Sequence, residues 1–172
     1  METNDSWLDR ITAADIMLRD VVTLDPNDCL AVAAETLLLE QVTGAPVVDQ
    51  EGNCVGVFSI VDVLGAEEKV LEETERIASS SFFHSDLALP ASVYADRLAQ
   101  VRDKLIPASE QPISHFMTRN LVSVTPETTV RTIVKDLIDA HIHRVVVLDE
   151  RRALVGIISS TDVLAAMLRE SN

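Results

Sequence analysis

Ser159, Thr161 and Asp162 close an apolar run, ALVGIIS, and His143 and Arg144 open the apolar run before it. These residue types suit one kind of ligand. An ionised Asp can accept hydrogen bonds from two vicinal hydroxyls at once, and a Ser hydroxyl beside it can donate or accept. The free amides of a first helical turn favour an anion in the same place. Arg offers a planar fork of donors to phosphate oxygens, and His adds a donor or a charge. A plainer reading uses the same residues. Ser-x-x-Asp is also a helix-capping pattern, and Thr161 could line a site or cap a helix. Arg144 could pair with Asp139 or Glu150 on the surface, and His143 could mark a helix end. His141 and His143 hint at a metal pair, but no third ligand accompanies them.

The elements that must position these residues follow from the pattern around them. Val130, Ile133, Val134, Leu137 and Ile138 recur at helical spacing, with Thr128 as the expected N-cap. Two strands follow, RVVVLD and ALVGIIS, joined by the polar turn ERR as a hairpin. A last helix begins at TDVLAAMLRE.

The same layout occurs earlier. Shifted by 100 positions, the chain lies on itself without a gap: ADIMLRDVVTLDPND (14–28) over SHFMTRNLVSVTPET (114–128), and GAPVVDQEGNCVGVFSIVDVLGA (44–66) over RVVVLDERRALVGIISSTDVLAA (144–166). Met17/Met117, Arg19/Arg119, Pro26/Pro126, Asp49/Asp149, Gly56/Gly156, Ser59/Ser159 and Asp62/Asp162 coincide. In the first copy Asp28 is the expected N-cap of the helix CLAVAAETLLLEQ. The order is βαββα, twice, an α/β (α+β) fold. A copy of roughly 55 residues is too small to bury a good core alone, so the halves are expected to pack as one body. The divisions are 11–69, 70–111 and 112–170. The middle one is a helical insert, with Tyr94, Leu98, Val101 and Leu105 on one stripe.

Composition narrows the partners. Apolar residues are 47% of 172 and aromatics 3%, which requires a folded, aliphatic core. The net charge of −14 would repel nucleic acid. Residues 1–60 hold 2 Lys/Arg against 11 Asp/Glu and residues 112–172 hold 7 against 7, so the second copy tolerates an anion better. No apolar run approaches the ~20 residues that cross a bilayer, so no membrane partner is expected. The acidic start, METNDSWLDR, lacks the apolar core of a secretion signal. Cys29 and Cys54 read as reduced thiols of a cytoplasmic protein. No nucleotide-loop, dinucleotide, hydrolase or metalloprotease motif is present, and no enzymatic activity is expected.

The paired units resemble the CBS domain, named after cystathionine beta-synthase, in its tandem Bateman form. The features that carry the resemblance are the Met-containing segment with its short strand and Pro, the PVVD or VVVLD strand, and the G-h-h-S-x-x-D-h-h run, h being apolar. The second copy is also similar to the repeats of the AMP-activated protein kinase gamma subunit. The resemblance implies two repeats related by a pseudo-two-fold axis, with clefts between them. It implies a regulatory module that binds AMP, ADP or ATP, with S-adenosylmethionine as an alternative ligand, and acts on an effector protein encoded elsewhere, often as a homodimer. It implies that His143 and Arg144 meet phosphates and that Asp162 holds the ribose. Backbone groups at Thr23 and Ser123 would read the adenine edge, with Val22, Val122 and Ile142 as candidates to sandwich the ring.

The first copy departs from this pattern. Thr43 and Gly44 stand where the second has His143 and Arg144, followed by Ala45 and Pro46. The phosphate-reading pair is absent. Gly44 and Ala45 could let a base or sugar approach the backbone, and Ser59 and Asp62 keep ribose recognition open. Gly44 could instead only end a helix, and Asp62 only cap one. The two sites are therefore expected to be unequal. The alternative to a sensor is a constitutive interaction or dimerisation module with vestigial sites.

Overall fold

The structure, a computed structural model, describes residues 6–65 and 110–170. The insert expected over 70–111, with its Tyr94 to Leu105 stripe, lies outside the described residues as far as residue 109. The elements in chain order are α1 (Trp7–Arg10), α2 (Ala13–Ile16), α3 (Leu30–Leu39), β1 (Gly44–Val48), β2 (Cys54–Ser59), α4 (Ile60–Gly65), a 3-10 turn (Ile113–His115), β3 (Ser123–Val124), α5 (Val130–Asp139), β4 (Arg144–Leu148), β5 (Leu154–Ser159) and α6 (Ser160–Glu170).

The chain forms two compact units. One is Val22–Leu121; the other joins Met1–Val21 to Val122–Asn172. The packing boundary therefore differs from the repeat boundary: the Met-containing segment that opens each copy is built into the unit of the other copy.

In the first-copy unit, β1 and β2 form an antiparallel hairpin that pairs Gly44 with Ser59 and Ala45 with Phe58. The VVTL stretch contributes a single parallel bridge, Leu24 to Val47, rather than a strand. Leu30, Ala33, Ala34 and Leu37 form the buried stripe of α3. With Val47, Phe58, Ile60, Val63, Ile113 and Met117 they make one mainly aliphatic core around the Phe58 ring. Residues 111–118 close the unit. Ile113 donates to the Asp28 carbonyl at 2.9 Å, and Thr118 exchanges two backbone bonds of 2.9 Å with Val57.

The second-copy unit repeats this plan. β3 lies parallel to β4, and β4 is antiparallel to β5 in the same register as the first hairpin, with Arg144 opposite Ser159. Val130, Ile133 and Leu137 of α5 are buried, but Val134 is only half-buried and Ile138 is 66% exposed. The buried stripe is thus narrower than the five apolar positions suggest. Residues 11–18 close this unit: Ala13 donates to the Thr128 carbonyl at 2.8 Å, and Leu18 and Ile157 exchange bonds of 2.9 and 3.0 Å.

The helix ends depart from expectation by one residue. The N-caps of α3 and α5 are Cys29 and Thr129, both with extended backbone. Asp28 and Thr128 instead turn back to accept from the amides of Asp25 and Thr125, each at 3.0 Å, and so close the Pro turn. Both helices end in paired Schellman bonds. Val42 donates to the Leu37 carbonyl and Gln41 to that of Leu38; Ile142 and His141 repeat this on Leu137 and Ile138. Gly44 therefore does not end a helix; it is the first residue of β1.

Candidate functional site

The strand-to-helix junction after β5 brings three of the expected residues together. Ser159 ends β5 and α6 starts at Ser160, which leaves Asp162 at the third helical position. One oxygen of Asp162, Oδ2, accepts the Ser159 amide at 2.7 Å and the Ser159 hydroxyl at 2.5 Å. The Asp162 amide donates back to the Ser159 oxygen at 3.3 Å. This is a capping box, so the structural reading of Ser-x-x-Asp is realised. It does not consume the carboxylate: Oδ1 accepts no hydrogen bond from the described residues.

Hairpin register sets Arg144 beside this pair. It sits opposite Ser159, and the Ser160 amide donates to the His143 carbonyl at 2.9 Å, which ties the start of β4 to the start of α6. Arg144 is half-buried. Burial pushes its pKa below the usual guanidinium value, and the attraction of Asp162 opposes that shift. A cation and an anionic acceptor thus share one junction. A fork of donors and a free carboxylate oxygen can together hold a ligand that carries both an anionic group and a diol.

The other expected residues of this unit surround the junction at different depths. His143 and Thr161 are exposed. Ser123 is exposed on β3, where its backbone pairs with Val146, and Val122 is half-buried. Ile142 belongs to the core. Arg119, a phosphate candidate by type, donates to the Ser114 carbonyl at 2.8 Å, and Arg19 does the same to Ala14 at 3.1 Å.

The first-copy unit contains the same Ser–Asp pairing in another electrostatic setting. Asp62 Oδ2 accepts the Ser59 amide and hydroxyl, both at 2.7 Å. Ser59 is 2% exposed. The residue opposite it is Gly44, where the second copy has Arg144. Burial raises the Asp62 pKa to about 6, against the pull of the two Ser59 bonds. Ala45 is buried opposite Phe58, and Thr23 is exposed next to Leu24, whose amide donates to the Pro46 carbonyl at 3.0 Å. The feature that residue types alone did not disclose is this contrast between the two carboxylates. Its only trace in the sequence is the Gly44/Arg144 mismatch.

Among the described residues no three His, Cys, Asp or Glu side chains cluster as metal ligands, and no helix is long and apolar enough to cross a membrane. Neither cysteine forms a disulfide.

Comparison with known proteins places this geometry. A family model described as the CBS domain matches residues 13–69 and again 113–169. The uncharacterized protein MJ1426 of Methanocaldococcus jannaschii is 25% identical over 154 residues, 90% of this chain and 89% of that one. Three longer relatives from the same organism are matched over only 40%, 40% and 30% of their length. Among solved structures, CBSX2 in complex with AMP superimposes with a TM-score of 0.66 at 20% identity, covering 94% of this chain and 98% of that one. The CBS domain pair of MJ0100, solved with 5'-methylthioadenosine and S-adenosyl-L-methionine, gives 0.60 at 19% identity, covering 94% and 98%. These likenesses establish the fold.

Proposed function

We propose, starting from the fact that the chain belongs to the CBS domain family, that it is a regulatory module that binds an adenosine-containing ligand and passes the bound state to a separate effector protein. The observation that carries this reading is the grouping of Arg144, Ser159 and Asp162 at the β5–α6 junction. The free carboxylate oxygen of Asp162 suits a ribose diol, and Arg144 with His143 suits phosphates. Ser123, Val122, Ile142 and Thr161 would complete the site around the base and sugar. AMP, ADP or ATP fits this pairing of groups. In the first-copy unit, Ser59, Asp62, Thr23, Gly44 and Ala45 would hold at most a ligand without phosphates, because no guanidinium stands opposite Ser59. Support comes also from solved CBS pairs described with AMP and with S-adenosyl-L-methionine. The module has no catalytic role in this reading. It works in the cytoplasm and pairs as a homodimer. A ligand shifts its state only through a difference in affinity between two conformations.

A thermal-shift series with AMP, ADP, ATP, adenosine and S-adenosylmethionine tests the proposal. A ligand that binds only the native state adds about 2.7 kcal/mol at a hundredfold excess over Kd. Arg144→Ala should weaken phosphorylated ligands about tenfold, about 1.4 kcal/mol, and leave adenosine unchanged. Asp162→Ala should weaken all of them. A flat response across the series overturns the sensor and leaves a constitutive interaction module. Equal weakening of AMP and adenosine by Arg144→Ala removes the phosphate role.

A further inference from the structure

We propose that the Ser59–Asp62 pair, where β2 passes into α4, is a joint that a proton loosens, so that mildly acidic pH changes the first-copy unit locally without unfolding it. Three features of the geometry lead to this. One carboxylate oxygen takes both bonds of the joint, from the Ser59 amide and the Ser59 hydroxyl. The pair sits at the edge of the core: Ser59 is the one buried polar residue among those described, Asp62 is half-buried, and Ile60 and Val63 beside them belong to the core. Among the described residues no cation offsets the charge. The opposing β1 position is Gly44, and β1 and β2 carry no charged side chain, only the buried thiol of Cys54. The helix packed on α4, α3, brings Glu35 and, at its C-cap, Glu40, both exposed. Arg119, the single described Lys or Arg of this unit, is held by the Ser114 carbonyl.

A half-buried carboxylate with two donors and no counter-charge among the described residues has two ways to settle. Ionised, it accepts both bonds and bears the cost of desolvation. Protonated, it escapes that cost, accepts less strongly from the Ser59 amide, and can donate to the Ser59 oxygen in place of accepting from it. Desolvation outweighs the two bonds here, which brings the exchange within reach of ordinary cellular pH. The Ser59 amide must report the change, because it donates one of the two bonds that alter, while the Ile60 amide keeps its 3.0 Å bond to the Thr43 carbonyl.

A carboxyl-detected and amide-detected NMR titration of the whole wild-type chain, from about pH 5 to about pH 8, reads this directly. The Asp62 carboxyl and the Ser59 amide should titrate together with a midpoint near 6, and the Ser59 step should vanish in Asp62→Asn. A Ser59 amide that does not move with the Asp62 carboxyl overturns the proposal. So does an Asp62 midpoint inside the ordinary carboxylate range. Neither readout depends on a nucleotide, so failure here leaves the ligand proposal standing.

Discussion

Met17 places its sulfur 2.7 Å from the point that a β-carbon on Gly156 would occupy, and Met117 does the same at Gly56. The glycines are there for approach. At Gly156 the Leu18 carbonyl lies 3.0 Å from that point, and the Leu18–Ile157 backbone exchange needs this proximity. Gly156→Ala should therefore cost about 1–3 kcal/mol, the usual range for overpacking. Met17→Ala should cost about 1–2 kcal/mol from lost burial. The double variant should fall short of the sum by at least about 0.5 kcal/mol, because the shortened residue makes room for the new methyl. Urea denaturation of the four proteins gives the cycle. Strict additivity would show that the Met17–Gly156 contact is not what excludes a side chain.

The two hairpin turns share one backbone pattern although their residues differ. Asp49 Oδ1 accepts the amides of Glu51 and Asn53, and Asp149 Oδ1 accepts those of Arg151 and Ala153. The turn then requires a left-handed residue. The first copy has Gly52 at φ 88, and the second has Arg152 at φ 66. A side chain in that region costs about 1 kcal/mol or somewhat more. Arg152→Gly should raise stability by about 0.5–1 kcal/mol, and Gly52→Ala should lower it by a similar amount. Loss of stability in Arg152→Gly would mean that the Arg152 side chain contributes more than its backbone strain takes away.

An ion pair fastens the first helix to α5. Arg131 meets both carboxylate oxygens of Asp9, at 2.6 and 2.9 Å, with both side chains about half exposed. The Arg131 bond holds the Asp9 carboxyl below the usual range. Solvent and salt screen such a pair, and its contribution should be small. Asp9→Asn should leave the urea midpoint nearly unchanged, and raising salt should shrink the remaining difference. The anchoring of residues 11–18 then rests on their backbone bonds and on Met17. A large midpoint loss in Asp9→Asn would reverse that order.

Much of this was legible beforehand because the repeat states itself twice. The ungapped register implied equal hairpins, and Gly44–Ser59 and Arg144–Ser159 are paired identically. The facing of Ser159 and Asp162 followed from their spacing. The exchange of opening segments was not legible. Met17 aligns with Met117 and Gly56 with Gly156, but a repeat records which residues correspond, not which ones touch. Met17 meets Gly156, in the other copy. The N-caps were misplaced by one residue because Asp28 and Thr128 are also good turn residues, and the Pro turn takes their side chains. The setting of Asp62 needed three dimensions, since it depends on what lies opposite Ser59 and on how deeply the junction is enclosed.

That setting has a consequence for stability with a definite sign. Burial holds the Asp62 pKa at about 6 in the folded chain, against an ordinary carboxylate value of 3.8. Between those values the native state holds a proton that the unfolded state has lost, so stability falls as pH rises. The favourable contribution is fully present below the lower value and is lost as pH passes through the upper one. At alkaline pH the native chain carries a half-buried, desolvated carboxylate with no cation beside it among the described residues. Asp62→Asn keeps an oxygen that can accept from Ser59 and removes the charge at every pH. It should exceed the wild type by on the order of 1 kcal/mol near pH 8, less than the full shift implies because charge-assisted bonds are lost, and match it near pH 5. Urea midpoints of the two proteins at several pH values isolate Asp62 from the other carboxylates of this acidic chain, which are common to both. A variant that is less stable by a constant amount at all pH values would show that the two Ser59 bonds outweigh desolvation.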